Sequence, residues 1–294
     1  MKVKIFDIDV KNQHYVWRHY LKPWLTKGKI WCLRANKIFV KNVEKVLKKE
    51  YFYEAKILNT DEEKFIEVVI DRMHPSNHEL LYDIYKQYQN AANGNTYEKN
   101  NYFEKYHSIY EQIAIPLLDK LYNLDIDFWQ DDQLRAGFSY FISLQYIRTK
   151  NIKDKMIMDW LNFYSLEEMP GVIRIDVIQM VLSLIVSELI ANYIHSYTRP
   201  VILQNKTDVH FITGDQPVYN LKAIDGEKIE EFIAYYPIAP RLAIIFSDDD
   251  VRTIRSEHDV HAYNDFIFNI SDEFVLSKRI NELTKYRSII ENTT

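Results

Sequence analysis

Residues 172–197 read VIRIDVIQMVLSLIVSELIANYIHSY, and this stretch decides how the rest of the chain is interpreted. Its most apolar part, residues 177–186, is far shorter than the roughly 20 residues that a membrane-spanning helix needs. Arg174, Asp176 and Glu188 lie in the same helical run, where charges are costly inside a bilayer. The stretch therefore predicts a buried central helix, and a homodimer seam is the alternative for its apolar residues.

A helical region from 41 to 197 is predicted by apolar side chains that recur with the period of an α-helix. It is expected to begin with a short helix at NVEKVLKKEYF, residues 42–52. A later helix is expected to start at Thr60, because Glu63 follows at the spacing of a capping box. Pro116 lies inside another helical run and predicts a kink or a restart there.

The two ends of the chain contain short apolar runs that are typical of strands. Residues 198–294 include PVILQN, VHFITG, EEFIAYYPI and RLAIIFS, and then two helical patterns on either side of EFVLSK. Residues 1–40 include VKIFDI and a hairpin pattern in KIWCLRANKIFV. No linker composition marks a boundary, so residues 1–294 are expected to form one domain. The predicted class is α+β, with a largely helical middle packed against a small antiparallel sheet formed by N- and C-terminal strands.

Composition limits the classes of function that the chain can have. The 294 residues carry a formal net charge of -5, so nucleic acid would have to bind at a local basic patch. Cys32 is the single cysteine, which excludes an internal disulfide and a cysteine-based metal site. The N-terminal residues lack the apolar core of a signal peptide, so a cytoplasmic location is expected. There is no GxGxxG, P-loop, GxSxG or HExxH motif to indicate an enzyme class.

An aromatic segment near the N-terminus, QHYVWRHYLKPW at residues 13–24, contains two groups that suit chemistry. His14 could act as a general base, and Arg18 could bind an anion. The alternative is an aromatic structural plug whose polar tips are satisfied by hydrogen bonds.

The segment QYIRT, residues 145–149, ends an amphipathic helical pattern. Gln145 and Arg148 are three residues apart and therefore share one face of the helix. A planar guanidinium held there suits a phosphate or a carboxylate. The alternative is an arginine that hydrogen-bonds the last carbonyls of its own helix.

The segment VHFITGDQP, residues 209–217, predicts a buried strand that ends in a turn. Thr213 and Asp215 are two residues apart at the end of that strand, so their side chains are expected to point the same way. They would then face a site beyond the edge of the sheet. The alternative is an ordinary turn, because aspartate is common in turns of this kind.

Taken in order, these groups and their neighbours resemble a known family. The segments are QHYVWRHYLKPW, KIWCLR, YEQIAIPLLDKL, FISLQYIRT, FITGDQPV, YYPIAPRLAIIF and HAYNDFIFN. They are similar to the motifs of the bacterial domain of unknown function family 4238, and the resemblance covers residues 12 to 278. It implies that the polar side chains at the matching positions belong to one ensemble. These are His14, Arg18, Glu111, Gln145, Arg148, Thr149, Thr213, Asp215 and Asn264.

The chain departs from the family pattern at positions that matter for chemistry. Trp17 stands where the opening motif has a proline, and Gly214 stands where the family has a serine before its aspartate. Residues 237–240 read PIAP where the family has Pro-Leu-Ser-Pro. A serine nucleophile at either place is therefore excluded.

The resemblance implies a setting among antiphage-defence and toxin-like genes, without an established activity. The residues themselves suit a nuclease-like hydrolase that cleaves a phosphodiester. His14 would be the base or acid, Arg18 and Arg148 would hold the phosphate charge, and Asp215 with Glu111 would bind a metal or orient water.

Gln145, Thr213 and Asn264 would complete the substrate-binding side of the same site. The metal is not assigned by the sequence, and Mg²⁺ and Mn²⁺ are the candidates. The alternative is a non-catalytic defence subunit that binds a nucleotide or a partner, with the polar side chains forming a buried structural network. Nucleic acid at a local basic patch, a homodimer and a partner subunit all stay open.

Overall fold

The structure is a computed structural model that confirms the predicted α+β class. It describes residues 12–14, 16–45, 48–50, 54–149, 152, 155, 173–222, 232–247 and 252–293, with the backbone alone at 12–14, 45, 48–50, 252 and 293. The predicted strand at 3–8 lies outside these residues, and so does most of the predicted helix at 153–164.

The helices occupy the middle of the chain and its C-terminal end. They are α1 (Thr60–Asp71), α2 (His78–Asn93), α3 (Thr96–Tyr122), α4 (Asp132–Ile147), α5 (Ile175–Tyr197), α6 (Glu257–Ile270) and α7 (Asn281–Thr293). The capping box of α1 is formed by Asn59 and Glu62, one residue before the predicted pair. The helix α3 runs through Pro116 without a break.

The strands are β1 (Asn12–His14), β2 (Lys29–Arg34), β3 (Lys37–Asn42), β4 (Lys48–Glu50), β5 (Arg199–Asn205), β6 (Thr213–Gly214), β7 (Tyr219–Asn220), β8 (Ala234–Ala239), β9 (Leu242–Ser247), β10 (Arg252–Ile254) and β11 (Val275–Ser277). A four-stranded antiparallel sheet has the order β3-β2-β11-β6, so N-terminal and C-terminal strands share it as predicted. The predicted hairpin joins β2 to β3, and Ala35 takes a left-handed φ of 50° in its turn.

A second sheet and a separate strand pair differ from the prediction of one small sheet. Five C-terminal strands form a sheet in the order β10-β5-β9-β8-β7, in which β10 and β5 are parallel. The strands β1 and β4 pair with each other, and His14 lies opposite Lys48 in their register. The expected helix at 42–52 is therefore wrong: a 3-10 turn at Val43–Lys45 leads into β4. A helix this short is marginal, and pairing with β1 satisfies the same backbone groups.

The strand expected over VHFITG, residues 209–214, is shorter than predicted, because β6 comprises only Thr213–Gly214. Segment 210–212 belongs to no strand, and it is held by a side chain as well as by backbone. Asn264 on α6 accepts from the N–H of Ile212 at 2.9 Å and donates to the C=O of His210 at 2.9 Å. Between them, the N–H of Phe211 donates to the C=O of Pro240 at 2.9 Å.

The central helix α5 is buried as predicted. Val177, Ile178, Val181, Leu182 and Ile185 are each at most 1% exposed. Burying one such side chain stabilises the fold by about 1.5–3 kcal/mol. These side chains pack inside the chain itself, against residues of α1, α2 and α3, and are not displayed as a seam for a second copy.

By length and composition, α5 passes the test for a membrane-crossing helix, with a hydropathy of 1.8 over its most apolar window. However, 67% of that window is buried within the protein, as is expected for the core helix of a soluble protein. Near the start of α5, Arg174 donates to the carboxylate of the fully buried Glu62 at 2.6 and 2.8 Å. This ion pair attaches the beginning of α5 to α1.

Candidate functional site

Two helices bring three of the predicted site residues together. Arg148 directly follows α4, and its Nη1 donates to Oε1 of Glu111 on α3 at 2.7 Å. The arginine side chain is only 2% exposed, whereas the glutamate side chain is 18% exposed. Gln145 is 1% exposed, and its amide makes no hydrogen bond in the part of the chain that the structure describes. The arginine therefore contacts a carboxylate of another helix, rather than only the end of its own.

Two more titratable side chains lie on the same face of α3. Glu104 and His107 precede Glu111 by seven and four residues, a spacing that places all three side chains on one side of a helix. His107 and Arg148 line a cavity of about 10 Å³, room for about one water molecule. The prediction from sequence missed Glu104 and His107, although the i, i+3, i+7 spacing in EKYHSIYE was a usable signal.

We call Glu104, His107, Glu111, Gln145 and Arg148 the Glu111–Arg148 group. Burial raises the pKa of Glu104 to about 7, and the charge of Glu111 adds to the rise, while Arg148 opposes it. Burial also raises the pKa of Glu111, against the opposing effect of the Arg148 hydrogen bond and charge. Both glutamates are partly exposed, so protons exchange with solvent. A carboxyl group that titrates near neutral pH is able to act as a general acid or base.

Thr213 faces the N-terminal aromatic segment. The hydroxyl of Tyr20 lies 2.6 Å from Oγ1 of Thr213 and 2.6 Å from the C=O of Pro237. The tyrosine has one hydroxyl proton, which goes to the carbonyl, so the threonine donates to the tyrosine. All of these groups are buried, and they join the segment before β2 to strands of both sheets.

Asp215 directly follows β6, and its carboxylate binds backbone N–H groups. Oδ1 accepts from the N–H of Asp272 at 2.9 Å, and Oδ2 accepts from Glu273 at 2.6 Å and from Phe274 at 2.8 Å. The side chain thus closes the turn that leads into β11. Asp215 is 5% exposed, and burial raises its pKa to about 6 even though the three N–H donors act in the opposite direction.

The side chains of Asn264 and Thr149 also hydrogen-bond to groups in the interior of the protein. Asn264 holds the segment at 210–212 through the two bonds described above. The hydroxyl of Thr149 donates to Oε1 of Gln216, whose amide nitrogen in turn donates to the C=O of Val218 at 2.8 Å. We call Thr213, Asp215 and Asn264, with the groups they bind, the β6 brace.

Of the remaining two predicted residues, only Arg18 has a described side chain. Arg18 is 53% exposed and lies 3.7 Å from Glu44 at the surface, so the structure does not bring it to the buried Arg148. His14 has a described backbone in β1, but its side chain lies outside the described residues. The two members of the expected metal pair bind different groups: Glu111 binds Arg148, and Asp215 binds backbone N–H groups. Within the described ranges, no three His, Cys, Asp or Glu side chains are placed to share an ion.

A comparison with known protein families matches residues 12–281 to the family described as a protein of unknown function, DUF4238. The match covers most of the 294 residues. The chain belongs to the DUF4238 family. No curated protein and no solved structure matches it.

One departure from the DUF4238 pattern has a structural explanation. A Cβ added at Gly214 would lie 2.1 Å from Oγ of Ser271 and 3.0 Å from the C=O of Phe274. The turn that Asp215 closes therefore packs directly on the backbone of Gly214. In this DUF4238 chain, the hydroxyl of Ser271 fills the space beside position 214, where the family pattern has a serine.

Proposed function

We propose that this DUF4238 chain is a non-catalytic subunit that binds a nucleotide or a partner, and that its motif side chains form a buried structural network. The observation that carries the proposal is the carboxylate of Asp215, which accepts three backbone N–H groups. A metal ligand or a general base needs a lone pair directed at its target. The oxygens of Asp215 are instead directed at the turn before β11.

The other members of the β6 brace support the same conclusion. Thr213 and Asn264 are at most 1% exposed, and their polar atoms bind groups of the chain itself. Removing a partner from a buried donor or acceptor costs the desolvation of that group. Substitutions in the brace should therefore lower stability and should not act on a chemical step.

A nuclease-like hydrolase is the second candidate, and the Glu111–Arg148 group favours it. Glu104 has a pKa of about 7 and lies near Glu111 and the buried guanidinium of Arg148. The two glutamates bring up to two negative charges against the single positive charge of Arg148. A phosphodiester is itself an anion, so it would need a cation such as Mg²⁺ or Mn²⁺ to enter this group. That electrostatic cost ranks the hydrolase behind the binding subunit.

The cellular setting is part of the proposal. The family resemblance supports a role as one subunit of an antiphage-defence system. The buried, unpaired thiol of Cys32 is consistent with a reducing compartment such as the cytoplasm.

The test combines the melting temperature with the cleavage of RNA and DNA, each measured with and without Mg²⁺ or Mn²⁺. Wild type is compared with Asp215→Asn, Glu104→Gln and the exposed control Glu67→Gln. We expect no cleavage by any of the four proteins and a melting temperature several degrees lower for Asp215→Asn alone. Cleavage by wild type that Asp215→Asn abolishes at an unchanged melting temperature would overturn the proposal. Cleavage lost only in Glu104→Gln would establish the second candidate instead.

A further inference from the structure

Three connections of the chain meet around His210. They are the loop between β5 and β6, the turn between β8 and β9, and the residues between β11 and α7. These connections supply His210, Arg241, Lys278 and Arg279, which we call the His210 patch.

Two arginines of the patch bind neighbouring carbonyls of the same loop. Nη1 of Arg241 donates to the C=O of Thr207, and Nη1 of Arg279 donates to the C=O of Asp208 at 3.4 Å. Both guanidinium groups are therefore placed over one short turn, although the two arginines are 38 residues apart in sequence. Each residue is exposed overall, so the donors that these bonds do not use face solvent.

The third cation is Lys278, which donates to the C=O of Pro23 at 3.2 Å. In the described part of the chain, the side-chain hydrogen bonds of all three cations go to backbone carbonyls and not to carboxylates. One nearby acid, Glu282, accepts from the N–H of His210 at 3.3 Å and from Ser277 at 3.3 Å. With Asp208 also counted, the patch keeps a net charge of +1 in a chain whose total is -5.

His210 provides an independent reason to expect a ligand. Its side chain is buried, and its Nδ1 has no hydrogen-bond partner among the residues that the structure describes. Burial, followed by the charges of Arg279, Arg241 and Lys278 in that order, lowers the pKa of His210 to about 4. The ring therefore lies within electrostatic range of all three cations. A buried nitrogen without a partner is costly unless something supplies the missing bond.

We infer that the His210 patch binds a phosphate group, either free or carried by a nucleotide or a nucleic acid strand. The inference deepens the proposed function and rests on it, since a binding subunit needs a ligand site. Guanidinium groups match the geometry of phosphate oxygens, and several donors from separate loops suit a group with several acceptor oxygens. A phosphate placed there would offset the repulsion among the three cations and would give the His210 ring an acceptor.

The experiment titrates the full-length protein with inorganic phosphate, with AMP and with a short single-stranded oligonucleotide. Binding is measured by calorimetry for wild type, Arg241→Gln, Arg279→Gln and the control Lys86→Gln, which removes an exposed cation on α2. We expect each arginine variant to bind about tenfold more weakly, the loss that follows from one charge-assisted hydrogen bond. Lys86→Gln should bind like wild type. NMR of His210 should show its pKa rising from about 4 when phosphate is bound.

The three ligands separate the sources of the phosphate group. Equal binding of phosphate and AMP would indicate that the ligand is free phosphate. Tighter binding of AMP than of phosphate would indicate a nucleotide. Tightest binding of the oligonucleotide, with a strong salt dependence, would indicate a nucleic acid strand. Absence of binding by wild type at millimolar ligand would overturn the inference. Binding that both arginine variants retain, at melting temperatures equal to wild type, would overturn it as well. Either result would leave the proposed function standing, because that proposal is tested separately, by cleavage and by the melting temperature of Asp215→Asn.

Discussion

The β6 brace and the Glu111–Arg148 group contain the same kinds of side chain, but they use them differently. In the brace, the carboxylate of Asp215 and the amide of Asn264 bind backbone groups of neighbouring segments. In the other group, Glu104 and Glu111 are partly exposed, and the amide of Gln145 has no partner in the described residues. The comparison teaches that residue type does not reveal the role of a polar side chain. Its role is revealed by the groups with which it forms hydrogen bonds.

The largest decrease in the free energy of unfolding is expected for Asn264→Ala in the β6 brace. The substitution leaves the N–H of Ile212 and the C=O of His210 buried without their partner. At about 2 kcal/mol for each group, the free energy of unfolding should fall by about 4 kcal/mol. Urea denaturation measures it, with Asn123→Ala as the control, because that exposed amide bonds only within its own helix end. A loss as small as that of the control would show that the brace is not structural.

A smaller decrease in the free energy of unfolding is expected for Glu111→Ala in the Glu111–Arg148 group. It removes the carboxylate that binds the 2% exposed guanidinium of Arg148. Breaking a buried ion pair from one side costs about 3 kcal/mol at the lower end of the usual range, and the partial exposure of Glu111 favours that lower end. The control is Asp132→Ala, whose exposed carboxylate pairs with Arg135 and His195 at the surface and should contribute little. Similar stability losses in the two variants would contradict the buried character of the pair.

The pH dependence of stability tests Asp215 directly. Its pKa is about 6 in the folded chain, above the 3.8 expected for the unfolded chain. Protonated Asp215 therefore contributes fully to the free energy of unfolding below pH 4, and this contribution is lost as the pH rises through 6. The difference in pKa corresponds to at most about 3 kcal/mol. Asp215→Asn should lack this loss, so unfolding of both proteins is measured between pH 4 and 8. Parallel curves for the two proteins would contradict the raised pKa.

The smallest effect on stability is expected from the titration of Glu104, because its side chain is partly exposed. Its pKa is about 7 when folded and 4.5 when unfolded, so it too should destabilise the fold as the pH rises through 7. NMR titration of its carboxyl carbon measures the pKa directly. In Glu111→Gln the pKa of Glu104 should fall, because a nearby negative charge is removed. A carboxyl that titrates at its ordinary value in wild type would remove the main support for the hydrolase.

Local patterns predicted much of the fold. The hairpin between β2 and β3, the buried helix α5, the strand β11 and the last two helices follow from period and turn signals. The short helix expected at 42–52 failed because pairing of β4 with β1 depends on residues more than 30 positions away. The strand expected over VHFITG is shorter than predicted for a related reason, since Asn264 lies 52 positions from the Ile212 N–H that it binds.

For the helices and strands that were predicted correctly, the sequence by itself determined which residues share a face, because the periods of 3.6 and 2 are local properties of the backbone. The spacing therefore predicted that Gln145 and Arg148 share one helix face, and the same reasoning would have predicted a shared face for Glu104, His107 and Glu111. Only the tertiary structure decided what each polar group binds. The donors to Asp215 lie 57 to 59 residues away, and the carboxylate that pairs with Arg148 lies 37 residues away. Hydrogen bonds act over about 3 Å, so partners that distant in the chain are selected by packing and not by spacing.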